Sequence, residues 1–121
     1  MSIWIKWASL LMFAAVVSGA FGSHILKSRL NLYEMVIYQT AVLYHFIHAL
    51  GLFAVAWVST LTVDPKVKWA GICLIVGIGL FSGSLYLLAV TGFKKLGMIT
   101  PLGGLSFLAG WILLFLAKVQ S

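Results

Sequence analysis

Charge is what this chain has least of. Only 8% of its 121 residues are charged, and just two of those are acidic, Glu34 and Asp64. Soluble domains carry roughly a quarter charged residues, so a water-soluble globule is excluded. Two acids so far apart also leave paired-carboxylate hydrolysis without its partners. Cys73 stands alone, which excludes a disulfide framework and any cysteine-based zinc site. It reads as a small apolar packing residue. There is no Walker phosphate loop and no HExxH pair. Asp64 belongs to the opposite membrane side from His24, which weakens a Ser–His–Asp triad. What abounds is apolar. Hydrophobic residues make up 63% and aromatics 14%, which excludes disorder. The net charge of +6 is split between two faces, a pattern suited to anionic lipid rather than nucleic acid.

The few charges act as rulers. Twenty uncharged residues separate Lys6 from Lys27, twenty-nine Glu34 from Asp64, twenty-five Lys68 from Lys94, and twenty-two Lys95 from Lys118. At about 1.5 Å per residue each run crosses a hydrocarbon slab of roughly 30 Å. An open chain in lipid satisfies its own backbone only as a helix. The absence of alternating ten-residue segments argues against an outer-membrane barrel. The expectation is an all-α integral membrane protein, a single domain over 1–121. Its helices fall at about 3–23, 32–60, 65–91 and 101–118, joined as an antiparallel four-helix bundle by short loops. Asn31 with Glu34 forms a capping box for helix two. Asp64-Pro65 starts helix three, Thr100-Pro101 repeats the device for helix four, and Gly92 ends helix three. The segment at about 23–30 mixes Ile25, Leu26 and Leu30 with Lys27 and Arg29, so it is expected to lie along the membrane surface.

Helix one, with Lys6, an apolar stretch and Ser18-Gly19-Ala20, resembles a signal peptide. Retention is expected, because cleavage would strand three helices without a partner for their small-residue face. Basic residues tie at four a side: Lys6, Lys66, Lys68 and Lys118 against Lys27, Arg29, Lys94 and Lys95. Trp4, Trp7, Trp57 and Trp69 form an aromatic belt on the terminal side. Lys6 ahead of the first helix favours cytoplasmic termini.

In lipid, close approach through small residues supplies much of the helix association. Gly19 and Gly22 share a face of helix one with Ala8 and Ala15. Gly79 and Gly83 form a GxxxG step on helix three, and Gly103 and Gly110 line helix four with Ser106. These glycines are the expected packing positions, and a bulky change such as Gly83→Leu is expected to destabilise the bundle.

Helix two carries a polar stripe of Glu34, Tyr38, His45 and His48 along one face. Ionisable groups at that depth are costly and face protein or water. Two imidazoles at i and i+3 can share a metal or relay a proton, with His24 and Glu34 as further ligands near the surface. Against that, a closed metal site needs more ligands than the interior supplies. Two histidines on one helix also cannot bind opposite faces of one haem. The structural alternative has both neutral, bonded to backbone carbonyls, Ser82 or Tyr86. Gln39 and Tyr44 point elsewhere. His24 reads as an interfacial histidine or as a contact to a lipid phosphate. Lys94 and Lys95, ahead of the Thr100 helix start, are candidates for an anionic lipid headgroup. No catalytic residue is assigned and no cofactor is expected.

Four ordered motifs resemble a known family. They are Gly19-Ala20-Phe21-Gly22-Ser23-His24; Tyr38-Gln39-Thr40-Ala41 with Tyr44, His45 and His48; Phe81-Ser82-Gly83-Ser84-Leu85-Tyr86; and Thr100-Pro101-Leu102-Gly103-Gly104 followed by Ala109-Gly110-Trp111. They are similar to the small membrane proteins catalogued as domain of unknown function 423, which include transmembrane protein 256 of animals. Ser23 stands where that family usually has alanine. The resemblance implies a four-helix protein of the bacterial plasma membrane and no particular activity. The reading that follows is a non-enzymatic accessory or assembly component acting through helix packing, in a homo-oligomer or larger membrane complex. The alternatives are a metal- or haem-binding or proton- or solute-transporting protein built on His45 and His48, and a membrane enzyme acting on lipid or quinone.

Overall fold

The structure, a computed structural model, describes residues 2–119. Four long apolar helices run up and down: α1 (Ile3–Leu26), α2 (Leu32–Val58), α3 (Pro65–Thr91) and α4 (Thr100–Leu116). A tight 3₁₀ turn, Lys94–Met98, leads into α4. α2 is the hub. Half of its apolar window is buried against 6% of that of α1, so α1 is the peripheral helix and the rest of its surface is left to lipid.

Local chemistry sets the ends. Asn31 accepts the Glu34 N–H at 2.7 Å and donates its own N–H to the Glu34 carboxylate at 3.0 Å, closing the capping box of α2. Asp64 accepts the Lys66 N–H at 3.0 Å ahead of Pro65, so α3 starts with a satisfied donor. Gly92, at φ 71°, takes the left-handed turn that stops α3.

Two ends differ from expectation. The backbone of Gly22 and Ser23 stays helical, so α1 runs on to Leu26, where a surface segment is expected from residue 23. Nothing stops it earlier, and the Leu26 carbonyl then accepts the N–H groups of Arg29 and Leu30 at 2.9 Å. Thr100 does not cap α4. Its hydroxyl pairs with Ser84 at 2.6 Å, clamping α4 to α3, while the Ile99 carbonyl receives the first N–H groups of the helix.

α1 and α3 each contain a π turn, Val17–Gly22 and Ile78–Ser82, marked by the bonds Ser23 N–H to the Ser18 carbonyl and Gly83 N–H to the Ile78 carbonyl. Each widens its helix by one residue per turn and leaves a backbone carbonyl short of its usual i+4 donor.

The core gathers Ala8, Ala49, Leu52, Val55, Leu74 and Phe107 toward the terminal side, and Tyr38, Val42 and Ala89 toward the other. α3 and α4 approach most closely at Gly103, where a Cβ would overlap the backbone of Phe81. Gly110 sits against Leu74 and the Ala70 carbonyl, Gly19 against Val42 and Phe46, and Gly22 against the Tyr38 hydroxyl. The GxxxG step is a correction. A Cβ at Gly79 would meet nothing within 4 Å, and one at Gly83 only the Ile78 carbonyl at 4.0 Å. α3 packs instead through Gly71 against Trp4 and through Gly77 against Phe107, both ahead of the π turn at Ile78–Ser82. Gly51 of α2, under Trp111, completes the set that spacing alone does not reveal.

The terminal-side loops are tied to the end of α4. The Thr62 hydroxyl donates to the Lys118 carbonyl at 2.7 Å, and the Lys118 N–H donates to Asp64 at 2.8 Å. Those backbone donors, Lys118 first and Lys66 second, hold the Asp64 carboxyl below the usual carboxylate range.

Overpacking Gly103 with valine is expected to cost about 1–3 kcal/mol, measured by chemical unfolding in detergent micelles. Gly79→Ala should cost nothing and gain up to about 1 kcal/mol of helix propensity. Equal losses at both positions would contradict the packing described.

The tether at Asp64 should respond to acid. Its folded pKa lies below the unfolded value of about 3.9, so its contribution is complete above that value and is lost as pH falls through the depressed one. The Lys118 amide proton shift, followed by NMR, should titrate with a midpoint under that value and stop titrating in Asp64→Asn. A midpoint at or above it would show no tether.

Candidate functional site

The two π turns face the same stretch of α2, and the polar stripe fills the space between them. Tyr38 Oη donates to the Ser18 carbonyl at 2.6 Å, the carbonyl also used by the π turn of α1. The small size of Gly22 makes room for that hydroxyl. Across the seam, Ser82 Oγ, at the end of the π turn of α3, donates to the Ala41 carbonyl at 2.8 Å. Between them His45 Nδ1 pairs with Tyr86 Oη at 2.9 Å, and the rings of Tyr86 and Tyr38 stand 5.3 Å apart. Tyr38, His45, Ser82 and Tyr86 thus meet on one seam joining three helices.

His45 is 4% exposed, and its Nε2 is buried without a hydrogen-bond partner. The Leu11 carbonyl of α1 lies beside the ring but falls short of hydrogen-bond geometry. A buried nitrogen without a well-formed hydrogen bond is costly.

His48 belongs to a different environment. Its Nδ1 meets the Tyr44 carbonyl one turn back at 2.8 Å. A carbonyl only accepts, so Nδ1 carries the proton. The imidazole lies flat on Phe107, with centroids 3.5 Å apart and planes 9° from parallel, and Trp111 closes over it at 5.7 Å. The ring serves as a stacking plate between α2 and α4.

The remaining expected residues are not drawn into this seam. Glu34 gives one carboxylate oxygen to the capping box, and His24 sits exposed on the last turn of α1. Among the described residues no three His, Cys, Asp or Glu side chains come together as a metal site. Ser82 does not reach an imidazole; it satisfies backbone instead. Gln39 finds Ser23 at 2.9 Å, and Ser106 donates to the Cys73 carbonyl at 2.7 Å. Lys94 and Lys95 are exposed on the 3₁₀ turn, near the start of α2. The Ser18 carbonyl, Phe107 and Trp111 are absent from the sequence-based site. The signals that pointed toward them were Ser18 among the small residues of helix one and Gly110-Trp111 in the fourth motif.

A four-helix bundle with apolar flanks and an internally bonded polar seam defines an integral membrane protein whose environment is a lipid bilayer. The family described as protein of unknown function (DUF423) matches over residues 18–104, and the chain belongs to it. It is 42% identical to a UPF0382 membrane protein of Staphylococcus haemolyticus over 99% of this chain and 98% of that one. The UPF0382 membrane protein YwdK of Bacillus subtilis gives 42% over the same shares. The UPF0382 inner membrane protein YgdD of Escherichia coli gives 35% over 94% of this chain and 87% of its own length. No solved structure matches the chain significantly.

Tyr86→Phe removes the one partner of the His45 ring and leaves both its nitrogens bare. The expected loss is about 1–2 kcal/mol in micelle unfolding, with a smaller loss for Ser82→Ala, whose Ala41 acceptor lies within a helix. A double-mutant cycle pairing Tyr86→Phe with His45→Leu should show coupling; strict additivity would mean the two side chains do not interact.

Proposed function

We propose that this chain is a non-enzymatic accessory or assembly component of a bacterial plasma-membrane complex, working through its helix faces. The observation that carries this reading is the internal use of the polar seam: Tyr38, His45, His48, Ser82 and Tyr86 all bond to other groups of the chain. Side chains so engaged stitch helices together rather than receive a substrate. What remains for partners is the outside, including the open glycine step at Gly79 and Gly83 of α3, as a homo-oligomer or beside another membrane subunit. The Escherichia coli relative is named an inner membrane protein, which supports the compartment. Lys6, in the first turns of α1, supports cytoplasmic termini. Lys94 and Lys95 are the proposed contacts to lipid phosphates.

Cross-linking in native membranes, followed by purification in mild detergent, tests the assembly role. A complex of fixed stoichiometry is expected, weakened by Gly79→Leu together with Gly83→Leu while monomer stability holds. Recovery of a solitary monomer, insensitive to those changes, would falsify it.

One observation favours a second reading. The unpartnered Nε2 of His45 suits a metal, haem or proton and solute-transport role for the His45/His48 stripe. Metal analysis, visible absorption and flux measurements on the His45→Ala, His48→Ala double variant decide between the two. Unchanged flux with no metal or haem removes this second reading. An enzyme acting on lipid or quinone would be a third, detected as turnover abolished by the same variant.

A further inference from the structure

A cavity of about 560 Å³ opens where the start of α2 meets the end of α3. Its lining includes Tyr33 and Glu34 from the start of α2 and Lys94 from the 3₁₀ turn after α3. Its inner wall is apolar, from Ile37 and Leu88. Ile37 lies five residues into α2 from Leu32, about 7 Å toward the hydrocarbon, and Leu88 precedes Gly92 by one turn, about 6 Å on the same scale.

Glu34 and Lys94 face this space without neutralising each other. Among the described residues the one ion pair within 4.0 Å joins Lys66 to Asp64 at the opposite membrane face. One Glu34 oxygen, Oε1, is held by the Asn31 N–H at 3.0 Å, and the other is left for a donor. The backbone adds to the same polarity. The C-terminal end of α3, at Gly92, carries partial negative charge toward a cation. Two opposite charges walling one cavity fit a ligand that carries both charges in the reverse order. The apolar inner wall, deeper in the bilayer, fits a ligand whose far end is hydrocarbon.

We propose that this cavity binds the headgroup of a phosphoethanolamine lipid. The lipid ammonium donates to the Glu34 carboxylate, and its phosphate lies on the Lys94 ammonium. The glycerol and the first acyl carbons descend along Ile37 and Leu88. The proposal rests on the reading of Lys94 as a phosphate contact and adds the Glu34 half, which a purely anionic lipid leaves unused. It is independent of the assembly role.

The full chain in phosphatidylcholine nanodiscs, doped equally with phosphatidylethanolamine and phosphatidylglycerol, tests it by native mass spectrometry of the lipids retained on stepwise delipidation. Phosphatidylethanolamine should be retained over both others by roughly threefold, the scale of one exposed ion pair. Glu34→Gln keeps the capping box, since glutamine serves at that position, and should erase the preference over phosphatidylcholine. Lys94→Gln should lower retention of phosphatidylethanolamine and phosphatidylglycerol alike. Soluble glycerophosphoethanolamine, lacking acyl chains, should not displace the lipid. Greater retention of phosphatidylglycerol leaves the Lys94 phosphate contact standing but overturns the headgroup assigned here. Equal retention of all three lipids, an unaltered preference in Glu34→Gln, or displacement by the soluble headgroup each overturns it as well.

Discussion

In hydrocarbon no water finishes an incomplete hydrogen bond, and the bundle is arranged around that constraint. A regular helix meets it unaided. The two π turns do not, because each shifts a backbone bond from i+4 to i+5 and disturbs the ladder beside it. The Ser18 carbonyl is the clearest case. It receives both the Ser23 N–H and the Tyr38 hydroxyl, so the irregularity in α1 becomes the point where α2 is fastened. Ser82 plays the mirrored part, reaching from the end of the second π turn to a carbonyl of α2. The seam of tyrosines, histidine and serine follows from these two local departures. It also explains why α1, with so little of itself buried, has a fixed register against α2.

The sequence discloses the elements whose cause is local. Charge spacing marks four membrane-length helices because a charged residue in lipid is costly wherever its neighbours lie. The Asn31–Glu34 box and the Asp64-Pro65 start are legible because a cap involves residues within three positions of each other. The stripe of helix two is legible in the same way, since its members share a face by helical arithmetic alone.

What stays hidden depends on two helices at once. Gly79 and Gly83 have the spacing of a packing face, as Gly103 and Gly110 do, yet only the second pair is covered by a neighbour. The π turn at Ile78–Ser82 changes the angular spacing between Gly79 and Gly83, which a regular helical wheel does not register. Thr100 is hidden for a related reason. Its position before Pro101 reads as a cap, but Ser84 on the facing helix offers a shorter route to a satisfied hydroxyl. Tertiary partners override local signals where both compete for one polar group.

The two histidines show how far position alone can mislead about chemistry. One turn apart on one helix, they invite a shared role. His48 spends its proton on its own helix and its face on Phe107, so its ring is held between α2 and α4 and Nε2 is the nitrogen left unprotonated. His45 has one nitrogen on Tyr86 and the other facing the α1–α2 boundary with nothing bound to it. The difference arises from what each meets: α4 supplies an aromatic plane to one, and α3 a hydroxyl to the other. The unpartnered nitrogen of His45 lies at the boundary with α1, the least buried of the four helices.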